Sequence, residues 1–209
     1  MDVKNMAKRR ARGSRRVSAA AGTSSQKDRR RFLWLGGLGG AAVIAVVLAA
    51  ILVPGLGGPS HAADFKFTLY QGAGELGAKE MSLSRLDSKP VVLNFWAGLC
   101  PPCRAEMPEF QRFYDEYKDR VTLIGIDIGP FMRLGTHRDA ENLLRELGIT
   151  YPAGFTDDPS VTRKYGVAGM PTTVFILPGG EIFEKRIGQL NFSFLTRVTN
   201  SMLAAEENF

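Results

Sequence analysis

The feature that most constrains this chain is a run of 22 residues without a charge, Phe32 to Val53. As a helix rising about 1.5 Å per residue it would reach roughly 33 Å, enough to cross the hydrocarbon core of a bilayer. The chain is thereby divided into a part before the run and a part after it. Residues 1–31 carry 11 Lys and Arg against two Asp, whereas residues 63–209 carry 16 Lys and Arg against 19 Asp and Glu. A basic flank of this kind stays in the cytoplasm and sends the residues beyond the apolar run across the membrane. The expected organisation is a basic cytoplasmic tail over 1–31, a transmembrane anchor over 32–53, a linker over 54–63 and a folded domain over 64–209. The chain is then a single-pass protein of the cell membrane with an extracytoplasmic domain. The same segment also reads as an export signal. Asp28-Arg29-Arg30-Arg31-Phe32-Leu33 has a twin-arginine look, and Ser60-His61-Ala62 resembles a cleavage site. The apolar run is long for a signal core, which favours the anchor. A mature N-terminus at Ala63 in mass spectrometry would end that reading.

The charge split bears on partners. The net charge of +6 belongs to the tail, and the domain is mildly acidic. A domain built to bind nucleic acid would carry positive charge on its folded surface, so no nucleic-acid partner is expected.

Within the domain, Phe65, Phe67 and Leu69 alternate with polar neighbours as in a half-buried strand. Val91 to Trp96 is an almost wholly apolar strand, and Val121 to Ile128 is a second. Pro101 to about Asp119 has helical spacing of Met107, Phe110, Phe113, Tyr114 and Tyr117. His137 to Gly148 is an amphipathic helix, and Ser160–Tyr165 is a short one. Thr172–Leu177 and Ile182–Ile187 flank Pro178-Gly179-Gly180 as a hairpin, and Phe192 to Ala205 closes the chain as a helix. Strand–helix–strand followed by hairpin and helix predicts an α/β domain, a central sheet with helices on both faces.

The only two cysteines, Cys100 and Cys103, stand two residues apart where a buried strand gives way to a helix. A disulfide over so short a loop restrains an unfolded chain little, so a structural staple is a poor reading. Zinc would need two further ligands, and His61 and His137 repeat no ligand spacing. No cofactor or metal is expected. Thiol–disulfide exchange does need this placement. The reacting sulfur must be a thiolate, and the unpaired N–H groups and positive dipole end of a helix N-terminus stabilise one. Pro101 and Pro102 suit a first helical turn, where an N–H has no partner anyway. Cys100 is the expected attacking and more exposed sulfur; Cys103 is the buried resolving one. No histidine lies between them to strengthen the thiolate, so the pair should act as a reductant.

The stretch Phe95-Trp96-Ala97-Gly98-Leu99-Cys100-Pro101-Pro102-Cys103-Arg104-Ala105-Glu106-Met107-Pro108, with Gly169-Met170-Pro171-Thr172-Thr173 downstream, resembles the active site of thioredoxin-like proteins. More narrowly it is similar to the TlpA/ResA-type membrane-anchored thiol–disulfide oxidoreductases. The resemblance covers about residues 64–205. It implies a thioredoxin-like fold carrying a TlpA-type insert at about 129–158, with His137 a surface residue of that insert. It implies that Pro171 is a cis-proline facing the cysteines and that Glu106, one turn after Cys103, tunes the pair. It implies a disulfide-containing protein substrate, of which apocytochrome c is the family's commonest, and a DsbD- or CcdA-like membrane electron donor. Two departures stand out. Asn94 occupies the place of thioredoxin's buried aspartate, so proton handling must differ, and Leu99 replaces the usual tryptophan before the first cysteine. The rival readings are a Sco-type copper-handling protein, against which the CxxC spacing and scarcity of histidine argue, and a redox-silent interaction domain.

Overall fold

A computed structural model describes residues 61–206. The expected tail, transmembrane anchor and export-signal motif, and most of the linker, lie outside the described residues. Among the described residues, no helix is long and apolar enough to cross a membrane.

The elements in chain order are β1 (Lys66–Gln71), α1 (Ala73–Leu76), β2 (Glu80–Ser82), a 3-10 turn (Leu83–Leu86), β3 (Val91–Trp96), α2 (Pro101–Tyr117), β4 (Thr122–Asp127), α3 (Gly129–Met132), α4 (His137–Glu146), β5 (Ala153–Phe155), α5 (Val161–Lys164), β6 (Thr172–Ile176), β7 (Ile182–Ile187) and α6 (Phe192–Glu206). The strands form one sheet in the order β2-β1-β5-β4-β3-β6-β7. Strands β3, β4 and β5 run parallel, and the other neighbours pair antiparallel.

Every residue of β3 is buried, because both faces of the sheet are covered. Val92 and Trp96 face a cluster with Met107, Phe110 and Phe113 of α2, Leu143 and Leu144 of α4, and Leu195, Val198 and Met202 of α6. Leu93 and Phe95 face the opposite cluster, with Phe65, Phe67, Leu83, Leu86, Val161 and Tyr165. The expected thioredoxin-like sheet with helices on both faces is the fold observed. The insert supplies α3, α4 and β5, and β5 slots between β1 and β4.

Sequence pattern does not announce β2, the 3-10 turn, α3 or β5. Each has three or four residues, too few for a periodicity to show. Strand β5 exists because its neighbours supply partners for its backbone. Gly154 lets it approach β1, since a Cβ there would collide with the Thr68 carbonyl oxygen.

Candidate active site

Cys100 ends the loop leaving β3 and is the N-cap of α2. Its Sγ accepts a hydrogen bond from the Cys103 backbone N–H at 3.3 Å, and Pro101 and Pro102 form the first helical positions. The two cysteines are joined by a disulfide. Cys100 is 3 % exposed and Cys103 0 %, so both are buried in the disulfide form. Cys100 packs in the same apolar cluster as Met107 and Ala140. The surroundings are open: Leu99 is 60 % exposed, and Pro101 and Pro102 are exposed.

The Met170–Pro171 peptide is cis, and Pro171 immediately precedes β6. Strand β6 pairs with β3 so that Thr172 stands opposite Phe95 and Thr173 opposite Asn94. The strand that leads into the disulfide and the strand that follows the cis peptide are thus neighbours. Ile187, 52 % exposed, lies opposite Thr172 on β7, and a Cβ on Gly169 would meet it at 3.2 Å. Leu99 and Ile187 are thus exposed apolar side chains, and Met170 is partly exposed.

Glu106 is wholly buried. Its Oε1 accepts from Asn94 Nδ2 at 2.9 Å and its Oε2 from the Leu190 backbone N–H at 3.0 Å. Burial pushes its pKa up to about 7, against the pull of these two hydrogen bonds. Asn94 Nδ2 also reaches Thr173 Oγ1 at 3.1 Å. Sequence reasoning singles out Cys100, Cys103, Pro171 and Glu106 but misses the partners Thr173 and Leu190. Glu106 and Leu190 are 84 residues apart, and no local spacing announces such a pair. Asn94 stands out in the sequence only as a missing aspartate; in the fold it is the residue that holds the acid.

His137 lies at the surface as expected, its side chain 39 % exposed, and it is also tied to the core. Its Nδ1 lies 2.9 Å from Oδ2 of the buried Asp127 and 2.8 Å from the Tyr70 hydroxyl, and its ring centroid is 4.3 Å from that of Phe155. Tyr70 also donates to Asp127 Oδ2 at 3.0 Å, and the Gly129 N–H donates to Oδ1 at 2.8 Å. A carboxylate ending a buried strand must find donors, and His137 is one of them. The sequence does carry this signal, a single acid in the run Val121–Ile128.

A surface groove of about 690 Å³ is lined by Lys66, Thr68, Glu80 and Asp157 among others, and by none of the residues around the disulfide.

A family model described as AhpC/TSA matches residues 60–185. The chain belongs to the AhpC/TSA family. Within that thioredoxin-like family it is 37% identical over 142 residues to the thiol-disulfide oxidoreductase ResA of Oceanobacillus iheyensis, covering 68% of this chain and 71% of the relative. It is 28% identical over 133 residues to ResA of Bacillus subtilis, covering 63% and 72% respectively. The crystal structure of StoA from Bacillus subtilis superposes with a TM-score of 0.56 at 24% identity, covering 68% of this chain and 99% of that one. This last likeness concerns the fold. The AhpC/TSA member described here is a thiol–disulfide oxidoreductase, and the redox-silent reading is set aside.

Proposed function

We propose that this oxidoreductase is a membrane-anchored, extracytoplasmic reductant of protein disulfides, working through Cys100 and Cys103. The observation that carries the reading is the disulfide capping α2, with an uncharged Pro-Pro spacer and a buried carboxyl one turn behind it. In the reduced protein the Cys100 thiolate attacks one sulfur of a partner disulfide. That S–S bond breaks, the partner's other sulfur leaves as a thiolate, and Cys100 forms a mixed disulfide with the partner. Cys103 passes its proton to Glu106 and attacks Cys100 Sγ, releasing the partner's second sulfur. Two electrons reach the partner, and the Cys100–Cys103 disulfide is the product. Leu99, Met170 and Ile187 offer the apolar surface on which the partner docks.

Anchoring rests on the 22-residue uncharged run and its basic flank. By the habit of the family it resembles, the substrate is the haem-binding thiol pair of apocytochrome c, and a DsbD- or CcdA-like membrane protein returns the electrons. The direction rests on the spacer, which puts no positive charge beside Cys100. A potential on the order of −270 mV is expected, and one above roughly −150 mV would reverse the direction. Trapping tests the substrate. A Cys103→Ala variant should hold its partner as a mixed disulfide through Cys100, identified by mass spectrometry. Normal c-type cytochromes after deletion of the gene would reject apocytochrome c. A copper titration showing tight stoichiometric binding would favour the Sco-type alternative.

A further inference from the structure

The carboxyl of Glu106 has two hydrogen-bond partners of different kinds. The Leu190 N–H is a backbone group and can only donate, so Oε2 must remain an acceptor. Asn94 is an amide, with a donor end and an acceptor end. It shows its donor end here. Nδ2 serves both Glu106 Oε1 and Thr173 Oγ1, while Oδ1 has no partner among the described residues although Asn94 is only 1 % exposed. An amide oriented for its own sake would not leave its acceptor unpaired in the core. The orientation is the one an ionised carboxylate demands.

Once Oε1 takes up a proton, it needs an acceptor where it had a donor. Of its two partners, only Asn94 can change sign. A half-turn about χ2 brings Oδ1 to face the carboxyl O–H. The Thr173 hydroxyl, able to accept or donate, can follow the amide in either orientation.

We propose that Asn94 is the positioning residue for proton exchange at Glu106. It donates from Nδ2 to the carboxylate before the Cys103 proton arrives and accepts at Oδ1 from the carboxyl afterwards, with the Thr173 hydroxyl as the pivot. This rests on the reading of Glu106 as the acceptor of the Cys103 proton. No electrons move in the step: one proton leaves Cys103 Sγ, one O–H bond forms on Oε1, and the Asn94–Glu106 hydrogen bond reverses direction. The amide thus does from the strand what a strand carboxylate cannot do for a helix carboxylate, since two acids so placed would repel. Among the described residues, Tyr151 from the insert also lies within electrostatic reach of Glu106. Burial and the nearby Glu106 charge hold the Tyr151 hydroxyl protonated throughout the neutral range.

The test uses the full-length protein in detergent, oxidised, with ¹³C- and ¹⁵N-labelled side chains. The Asn94 side-chain amide resonances should move with the same midpoint as the Glu106 carboxyl carbon and should cease to move in Glu106→Gln. Amide resonances that stay flat while Glu106 titrates would overturn the proposal, and this measurement needs no substitution at Asn94. In Asn94→Leu, loss of the donor should raise the Glu106 midpoint by about one pH unit, a tenfold change in proton affinity. It should slow release of a trapped mixed disulfide by Cys103. An unmoved midpoint in that variant would also overturn it. If Glu106→Gln itself leaves mixed-disulfide release unaltered at every pH, the underlying reading of Glu106 fails instead, and the two failures are separable.

Discussion

Glu106 is a carboxyl held without solvent, and its chemistry is set by that confinement. Both oxygens accept hydrogen bonds, yet burial outweighs them and lifts the pKa to about 7. The folded protein therefore binds a proton that the unfolded chain releases near pH 4.3, roughly the ordinary glutamate value. Because the folded pKa is the raised one, this group's contribution is most favourable below about pH 4.3 and is lost as pH rises through about 7. At about 1.4 kcal/mol per unit the loss amounts to about 4 kcal/mol. Denaturant unfolding of the oxidised protein between about pH 4 and pH 8 should show this decline, and Glu106→Gln should flatten it. The glutamine amide in that variant would accept from the Leu190 N–H and donate to an Asn94 turned to present Oδ1, keeping both hydrogen bonds at every pH. The same substitution should shift the titration of the Cys100 thiol in the reduced protein; an unchanged thiol curve would separate Glu106 from the pair. Leu99 acts at this scale too. Replacing it with Ser should raise KM for a protein disulfide severalfold and leave the rate with a small disulfide near its original value, the outcome expected of a side chain in the proposed docking surface.

At the scale of elements, the insert is bound to the active-site loop. The Leu99 N–H donates to the Leu134 carbonyl at 2.8 Å, and the Ile128 N–H donates to the Trp96 carbonyl at 3.0 Å. A Cβ at Gly98 would lie 2.5 Å from both the Ala140 nitrogen and the Asp139 carbonyl carbon. Those are backbone atoms near the N-terminus of α4, and they cannot swing aside. Gly98→Ala should destabilise the protein by about 1–3 kcal/mol and lower exchange activity by displacing Leu99 and Cys100. Helix α4 is fixed at the same end by its Thr136–Asp139 capping box and by His137 on Asp127. His137→Ala removes one donor from a buried carboxylate and should lower stability by about 1–3 kcal/mol, read from denaturant midpoints. The insert is therefore a wall of the site, not an appendage to it.

For the molecule as a whole, the described residues contain their own core on both faces of one sheet. A fragment beginning at His61 keeps the bridge between His61 and Glu181 and the hydrogen bond from the Ala62 N–H to the Gly180 carbonyl at 2.8 Å. It should remain in the soluble fraction, unfold in one cooperative transition by circular dichroism and reduce disulfides in solution. A fragment beginning at Gly72 loses Phe65, Phe67 and Leu69 from the core and the partner of β2 and β5. It should fail to fold.

Local pattern was enough to place two sulfurs at a strand-to-helix junction, the long strands and helices, the hairpin, and a charge asymmetry about an apolar run. Cys100, Cys103, Glu106 and Pro171 were legible because a known motif spaces them. Packing settled the meetings of distant residues. Glu106 gains its raised pKa and its partners only when β3, β6 and the turn before α6 close over it, and His137 becomes a tether only when β1 and β4 end beside it. Strand β5 has too few residues to declare itself and forms because β1 and β4 leave their edges to it. Burial and hydrogen-bond satisfaction are properties of the packed whole, whereas periodicity and capping belong to a few neighbouring residues.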